Sequence, residues 1–456
     1  MRILSKPARL LAMTLSAVAL MSICQSEASA RAFYVSPQGD GTTGQDWAKA
    51  WQDPAKIDWT QVNPGDQIVL DGGPSGITYE TGFTIAKSGT QHAPITIRQS
   101  PHAGHNGQIT LFGKSVGQMG YKTGIETGIN LTGSYVNIAG ARRGGIKMLA
   151  YSGTCINIDP SVQNSTIRNI EIENRVYLPW YGAITCSGMQ FAGFNNHIID
   201  CDFRECNTSA KEMAKAGTTN RVVFNGCTFG SRQHYLGWTR GCGTAIISAL
   251  ATAPDHPSAI IAHRCIFGPY ISAGVIMYKG NLQVSDSLFL APPLYGIDAE
   301  PQTAVTDVRV NRCTFITPFH PVVLSPTNPF PPRVGMLGFP IRTNGVGIFK
   351  VANSIFYAGT ISVPANMKVN AGGNFTYNIA GNTTALAASL TNPQLTDGAA
   401  IDAMPDVFVP YTLSTLNYAP IAGSPAAGKG SSITSVSQLT TPYGPKDPIP
   451  TVLGGP

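Results

Sequence analysis

Val223-Phe224-Asn225-Gly226-Cys227-Thr228-Phe229 and Val310-Asn311-Arg312-Cys313-Thr314-Phe315 are two copies of one phrase: apolar residue, polar pair, small residue, then an aromatic two places on. Its aromatics, Phe203, Phe229, Phe267, Phe289, Phe315 and Phe356, lie 26, 38, 22, 26 and 41 residues apart, so a unit of roughly two dozen residues repeats with insertions. Two places before them stand Cys201, Cys227, Cys265, Ser287, Cys313 and Ser354. Side chains at i and i+2 of a strand share a face, so the recurrence predicts two interior columns running through stacked coils. Four cysteines in one such column are expected to serve as small apolar fillers, because parallel neighbours present a poor disulfide torsion.

A second register precedes the aromatic one: Gly, apolar, x, apolar, x. It reads Gly128-Ile129-Asn130-Leu131-Thr132, Gly188-Met189-Gln190-Phe191-Ala192, Gly274-Val275-Ile276-Met277-Tyr278 and Gly296-Ile297-Asp298-Ala299-Glu300. Ile156 to Asp159 and Ala245 to Ser248 fit it without the glycine. Each coil therefore contributes at least two strands. Asn207 to Thr219, with Ser209 three places before Glu212, carries the local signature of a helical N-terminus and predicts a short helical insertion.

With 49 glycines, 33 prolines and only 12% charged residues, the composition favours many short strands and turns, an all-β chain. Residues 1–30 combine Arg2, Lys6 and Arg9, an apolar run from Leu10 to Met21 and Ala28-Ser29-Ala30, the pattern of an export signal. The expected location is therefore secreted or periplasmic, with no membrane association after cleavage. Without those residues the formal charge falls from +6 to +4, compatible with an acidic glycan partner and well short of a nucleic-acid footprint. The expected division is a signal at 1–30, an N-terminal strand and aromatic cap at 31–62 with Trp47, Trp51 and Trp59, a repetitive body at 63–430, and a tail at 431–456.

Together these features resemble the right-handed parallel β-helix proteins of the pectate-lyase-like superfamily, over most of the chain. Phe33-Tyr34-Val35-Ser36-Pro37, Asn63-Pro64-Gly65-Asp66, Lys87-Ser88-Gly89-Thr90 and Pro94-Ile95-Thr96-Ile97 resemble the N-terminal part of secreted bacterial members, including the alginate lyase and chondroitinase B type. Ser424-Pro425-Ala426-Ala427-Gly428-Lys429-Gly430 is similar to their terminal coil. The resemblance implies a monomeric β-helix acting on polysaccharide. It leaves the reaction open, because the same helix carries lyases, hydrolases, epimerases and adhesins. The Arg-His-Gly of the alginate and chondroitin lyases is absent, as are the Asn-Thr-Asp, Asp-Asp and Gly-His-Gly patterns of polygalacturonases.

In such a helix, the outward positions of the Gly-led strands are where chemistry is expected. If Ile297 and Ala299 point inward, Asp298 and Glu300 point outward about 7 Å apart, beside Ile276 and Tyr278 of the preceding coil. The pair could bind calcium, which takes several oxygen ligands, or act as acid and base of an inverting glycosidase. A lyase instead needs a base for the proton beside the uronate carboxylate, and Lys279 with Tyr278 is the nearest choice, although adjacent carboxylates would raise the lysine's pKa. Asn157 and Asp159 lie farther along the same column. Arg232, His234, Trp238 and Arg240 crowd one insertion, and guanidinium and flat aromatic groups suit a sugar-binding wall. Glu171 and Glu173 form a Glu-x-Glu pair like those of calcium-binding lyases of this fold, but in the aromatic-motif strand, where exposed edge carboxylates are expected. The competing readings are a lyase acting on an acidic glycan by β-elimination, a hydrolase using Asp298 and Glu300, and a carbohydrate-binding protein that breaks no bond.

Overall fold

The computed structural model describes residues 30–114, 124–174, 187–206, 208–230, 244–249, 258–268, 271, 273–290, 295–299, 306–316, 339–343, 347–361, 368–372, 374–381, 390–391, 394–396 and 420–426. Three sheets of twelve, nine and twelve strands account for the fold, and the strand pairs within them are parallel. The chain visits them cyclically. Thr306–Asn311 lies in the first sheet (A), Thr314–Ile316 in the second (B), Phe339–Thr343 in the third (C), and Gly347–Ala352 returns to A. This is the expected right-handed parallel β-helix.

The aromatic phrase builds sheet B. Phe203, Phe229, Phe267, Phe289, Phe315 and Phe356 pair in direct register through successive coils. Their rings stack with centroid separations of 4.9, 5.2, 4.5, 4.4 and 4.9 Å and interplanar angles of 6° to 13°. Register makes the column: alternation turns every phenylalanine inward, and a coil rise of about 4.8 Å matches the spacing of offset aromatic stacking. Sheet A supplies the facing wall, in which Ile138, Ile167, Ile198, Phe224, Ala262, Val284 and Val310 form another buried column.

From Asn169 on, the A-to-B corners are tight. Seven of them each contain one residue with positive φ, namely Asn169, Asp200, Gly226, Arg264, Asp286, Arg312 and Asn353, at 50° to 68°. A side chain there costs about 1–2 kcal/mol of backbone energy. The ladder nevertheless continues through the corner: the amides of Asp200, Gly226, Arg264, Asp286 and Arg312 donate to Asn225, His263, Ser285, Asn311 and Ala352 of the next coil. The following Cys or Ser turns inward. Cys201, Cys227, Cys265 and Cys313 are free thiols, fully buried, as the filler reading expected. Cys265 and Cys313 donate to the carbonyls of His263 and Asn311 at 3.4 Å, as Ser287 and Ser354 donate to Ser285 and Ala352 at 2.8 and 2.9 Å.

The Gly-led register forms sheet C. Its glycine makes room for the interior: a Cβ on Gly274 would meet Phe289 Cε1 at 2.7 Å and Gly296 O at 2.5 Å. Cys155, Ser209 and Ala245 occupy the equivalent place in other coils, and Thr244–Ile247 is a strand as the sequence suggested. The helical expectation for Asn207 to Thr219 is overturned. Thr208–Glu212 is a sheet C strand paired on both sides, with Ser187–Phe191 and with Thr244–Ile247, because two ladders outweigh a local capping signal.

At the N-terminal end, Ala32–Val35 starts sheet A, and Trp51 stacks on Phe33 at 5.2 Å beneath a short 3₁₀ turn at Pro54–Lys56. At the other end, the outer face of sheet B becomes apolar. Leu288, Leu290, Ile316, Ile355 and Tyr357 cluster there with Leu395 and Ala426 from the C-terminal segments, with Ile266 packed against them. The export signal and the 431–456 tail lie outside the described residues. Among the described residues no helix is long and apolar enough to cross a membrane.

Candidate functional site

Chain connectivity singles out sheet C. The A-to-B corners in the later coils are two-residue turns such as Arg312-Cys313, whereas the connections on either side of sheet C include residues 174–186, 231–243, 248–257, 300–305 and 317–338. Its strands are thus joined by long connections, and binding sites are commonly built by loop variation on a rigid scaffold.

One outward column of sheet C, the floor of the candidate site, runs Thr84, Asn130, Asn157, Gln190, Lys211, Ile247, Ile276, Asp298 and position 342, an arginine, in backbone register. Asp298 stands beside Ile276, as alternation required, with Ile297 and Ala299 buried in the interior. Its surroundings differ from an open surface strand: Asp298 is 3% exposed and Lys279 5% exposed, while Tyr278 is half-buried. Ser248 fixes the end of the Tyr278-Lys279 strand, its hydroxyl accepting from the amides of Tyr278 at 2.7 Å and Lys279 at 3.3 Å. A buried carboxylate and a buried ammonium on adjacent coils require polar partners, and neither residue is without interactions. Glu300, Arg232, His234, Trp238 and Arg240 lie outside the described residues.

Asn157 and Asp159 are placed away from Asp298. Asn157 is five coils earlier in the column, roughly 24 Å at about 4.8 Å per coil, and its amide donates to Asn130 Oδ1 at 2.8 Å. Asp159 closes a turn, accepting from the amide and hydroxyl of Ser161 at 2.9 and 2.7 Å. Burial works against that carboxyl's ionisation, but the Ser161 hydrogen bonds outweigh it and hold the pKa below the ordinary value.

Lys211 was hidden by the helical reading of its segment. It is half-buried on the floor between Gln190 and Ile247 and makes no hydrogen bond or ion pair among the described residues. The neighbouring carboxylate does not neutralise it: Glu212 is buried and accepts from the Asn220 side chain at 2.9 Å, the Ser258 hydroxyl at 2.5 Å and the Ala249 amide at 3.0 Å. The detectable signal was Ser209-Ala210-Lys211, a small-apolar-x variant of the Gly-led phrase.

Glu171 and Glu173 do fall in sheet B, but not as exposed edge carboxylates. Lys147 Nζ lies 3.2 and 3.0 Å from them, Arg204 reaches Glu171 at 3.6 Å, and Asp202 pairs with Arg204 and Arg143. Three acids and three bases thus interlock across neighbouring coils, because parallel register places opposite charges side by side. His263 sits at an A-to-B corner, with Nδ1 2.9 Å from Ser285 Oγ and 3.2 Å from Asp286, which also receives Arg312 at 2.5 Å. Burial would raise the Asp286 pKa, but bonds from His263 and Arg312 bring it below the ordinary value. Among the described residues no three His, Cys, Asp or Glu side chains are close enough to hold a metal ion. Glu300, the second member of the expected calcium pair, lies outside the described residues.

No protein-family model matches the chain, and no curated protein matches it. Solved structures do. Pectate lyase Pel9A superposes with a TM-score of 0.51 at 14% identity, covering 90% of this chain and 94% of that one. A rhamnogalacturonan lyase gives 0.42 at 14% identity, covering 83% and 90%. A mannuronic-acid-specific family 6 lyase from human gut microbiota gives 0.41 at 14%, covering 82% and 88%. The three-sheet coil, the phenylalanine column and the superposition on Pel9A agree: the chain has the right-handed parallel β-helix fold.

Proposed function

We propose that the protein is an exported polysaccharide lyase that cleaves a uronate-containing glycan by β-elimination. The observation that carries this reading is the pair of buried, oppositely charged residues at the floor of sheet C, Lys279 next to Tyr278 on one coil and Asp298 on the next. β-Elimination needs a base for the proton beside the carboxylate and a positive group for the charge that develops as it leaves. Tyr278-Lys279 supplies candidates for the base. Asp298, on the adjacent coil, supplies a negative charge that would orient a cationic group beside the substrate carboxylate. Burial of Asp298 and Lys279 strengthens such interactions by excluding water.

The test is incubation of the protein with alginate, pectate, rhamnogalacturonan and chondroitin, with and without calcium, following ultraviolet absorbance of unsaturated products and reducing ends together. A rise in both supports the lyase. Reducing ends alone would replace it with the hydrolase reading, and binding without new ends with the non-catalytic one.

A further inference from the structure

The column containing Asp298 changes chemistry along its length. From Thr84 it is uncharged and polar through Asn130, Asn157 and Gln190; it then presents Lys211, passes over Ile247 and Ile276, and reaches Asp298. Alongside it runs a second registered column, in which the hydroxyl residues Thr127, Thr208 and Thr244 are half-buried while Thr154 and Ser187 are buried. Amides and hydroxyls in a row suit sugar hydroxyls. An ammonium with no partner among the described residues, set beside them, suits an anion.

We propose that Lys211 forms a carboxylate-binding subsite for the acidic glycan, three coils before Asp298, with the polymer lying along the helix axis. The inference rests on the uronate-glycan reading above. Three coils span about 14 Å, and a pyranose unit is comparable in length to one coil, so successive sugars can meet successive rungs of the column. Three features of the structure point to a ligand for Lys211. Its side chain is half-buried on the floor, the adjacent Glu212 carboxylate is engaged inside the coil, and Ile247 beside it offers an apolar contact to a ring face. A half-buried ammonium attracts a carboxylate more strongly than a fully hydrated one does. Gln190, one coil earlier, would donate its amide to a hydroxyl of the adjoining sugar.

The test is affinity electrophoresis and initial-rate kinetics of Lys211→Met and Lys211→Arg on the polyuronate that the wild type binds and cleaves, with its carboxyl-reduced, neutral form as second probe. Lys211→Met is expected to weaken polyuronate binding and raise KM about tenfold, leave kcat within about twofold, and leave weak binding to the neutral polymer unchanged, with Lys211→Arg restoring most of the loss. Equal affinity of wild type and Lys211→Met would overturn the subsite while leaving the lyase intact. A fall in kcat at unchanged affinity would also overturn it, by moving Lys211 into the chemical step. Charge-dependent binding without cleavage by the wild type would keep the subsite and remove the lyase reading. Failure to bind any polyuronate would remove both.

Discussion

Gly274 and the ring of Phe289 compete for one place: a Cβ on the glycine would lie 2.7 Å from Cε1 of the ring on the next coil. The two sequence phrases are therefore halves of one device, a large column in sheet B and a small column where sheet C begins. Gly274→Ala should cost about 1–3 kcal/mol of stability, since backbone at Gly296 blocks relaxation on the other side. Urea unfolding of the variant measures it, and an unchanged midpoint would mean that the corner yields without strain.

Phe289 is sandwiched between Phe267 at 4.5 Å and Phe315 at 4.4 Å. Phe289→Ala should cost about 3–5 kcal/mol, because it leaves a cavity and interrupts stacking on both faces. Phe289→Leu should recover roughly half of the loss in the same unfolding experiment.

Cys265→Ser should be nearly silent, within about 1 kcal/mol, since a hydroxyl there can donate to the His263 carbonyl as Ser287 donates to Ser285. Alkylation under denaturing conditions without reductant, read by mass spectrometry, should label Cys201, Cys227, Cys265 and Cys313. A disulfide among them would contradict the filler role.

His197 is held below its ordinary value of 6.5, chiefly by burial and secondarily by the charge of Arg221. A histidine kept neutral by folding binds more protons when unfolded. Its contribution to stability is therefore present above the unfolded value near 6.5 and lost as pH falls through the lower folded value. His197→Gln should flatten the fall in thermal stability between about pH 7.5 and about pH 5.5. Parallel slopes for the two proteins would assign the acid sensitivity elsewhere.

Asp298→Asn should lower kcat on a cleaved polyuronate by about 10²- to 10⁴-fold with circular dichroism unchanged. Full activity would move the reacting centre off this part of the floor.

The coils were legible because one phrase repeats and alternation leaves no freedom of face: the spacing of Cys227 and Phe229 alone fixes which residues of their strand are inward. Asp298 was placed on the outer face by the same rule. Its burial was not legible, since alternation fixes the face of a side chain and not its depth. Lys211 was missed for a different reason: Ser209 and Glu212 satisfy a local helical signal, and only the ladders formed with Gln190 and Ile247 override it. The charge lattice of Lys147, Glu171 and Arg204 likewise depends on coil-to-coil register, which spacing interrupted by insertions does not set.

A stack whose units touch only their neighbours can fray from either end, one coil at a time. Leu395 and Ala426 break that independence, because they join one apolar cluster with Leu288, Ile316 and Ile355 from three different coils. Opening the last coils requires this segment to be released from coils well below them, so the C-terminal third should melt as a block. The returning chain makes a one-dimensional stack behave, over that length, like a globular domain.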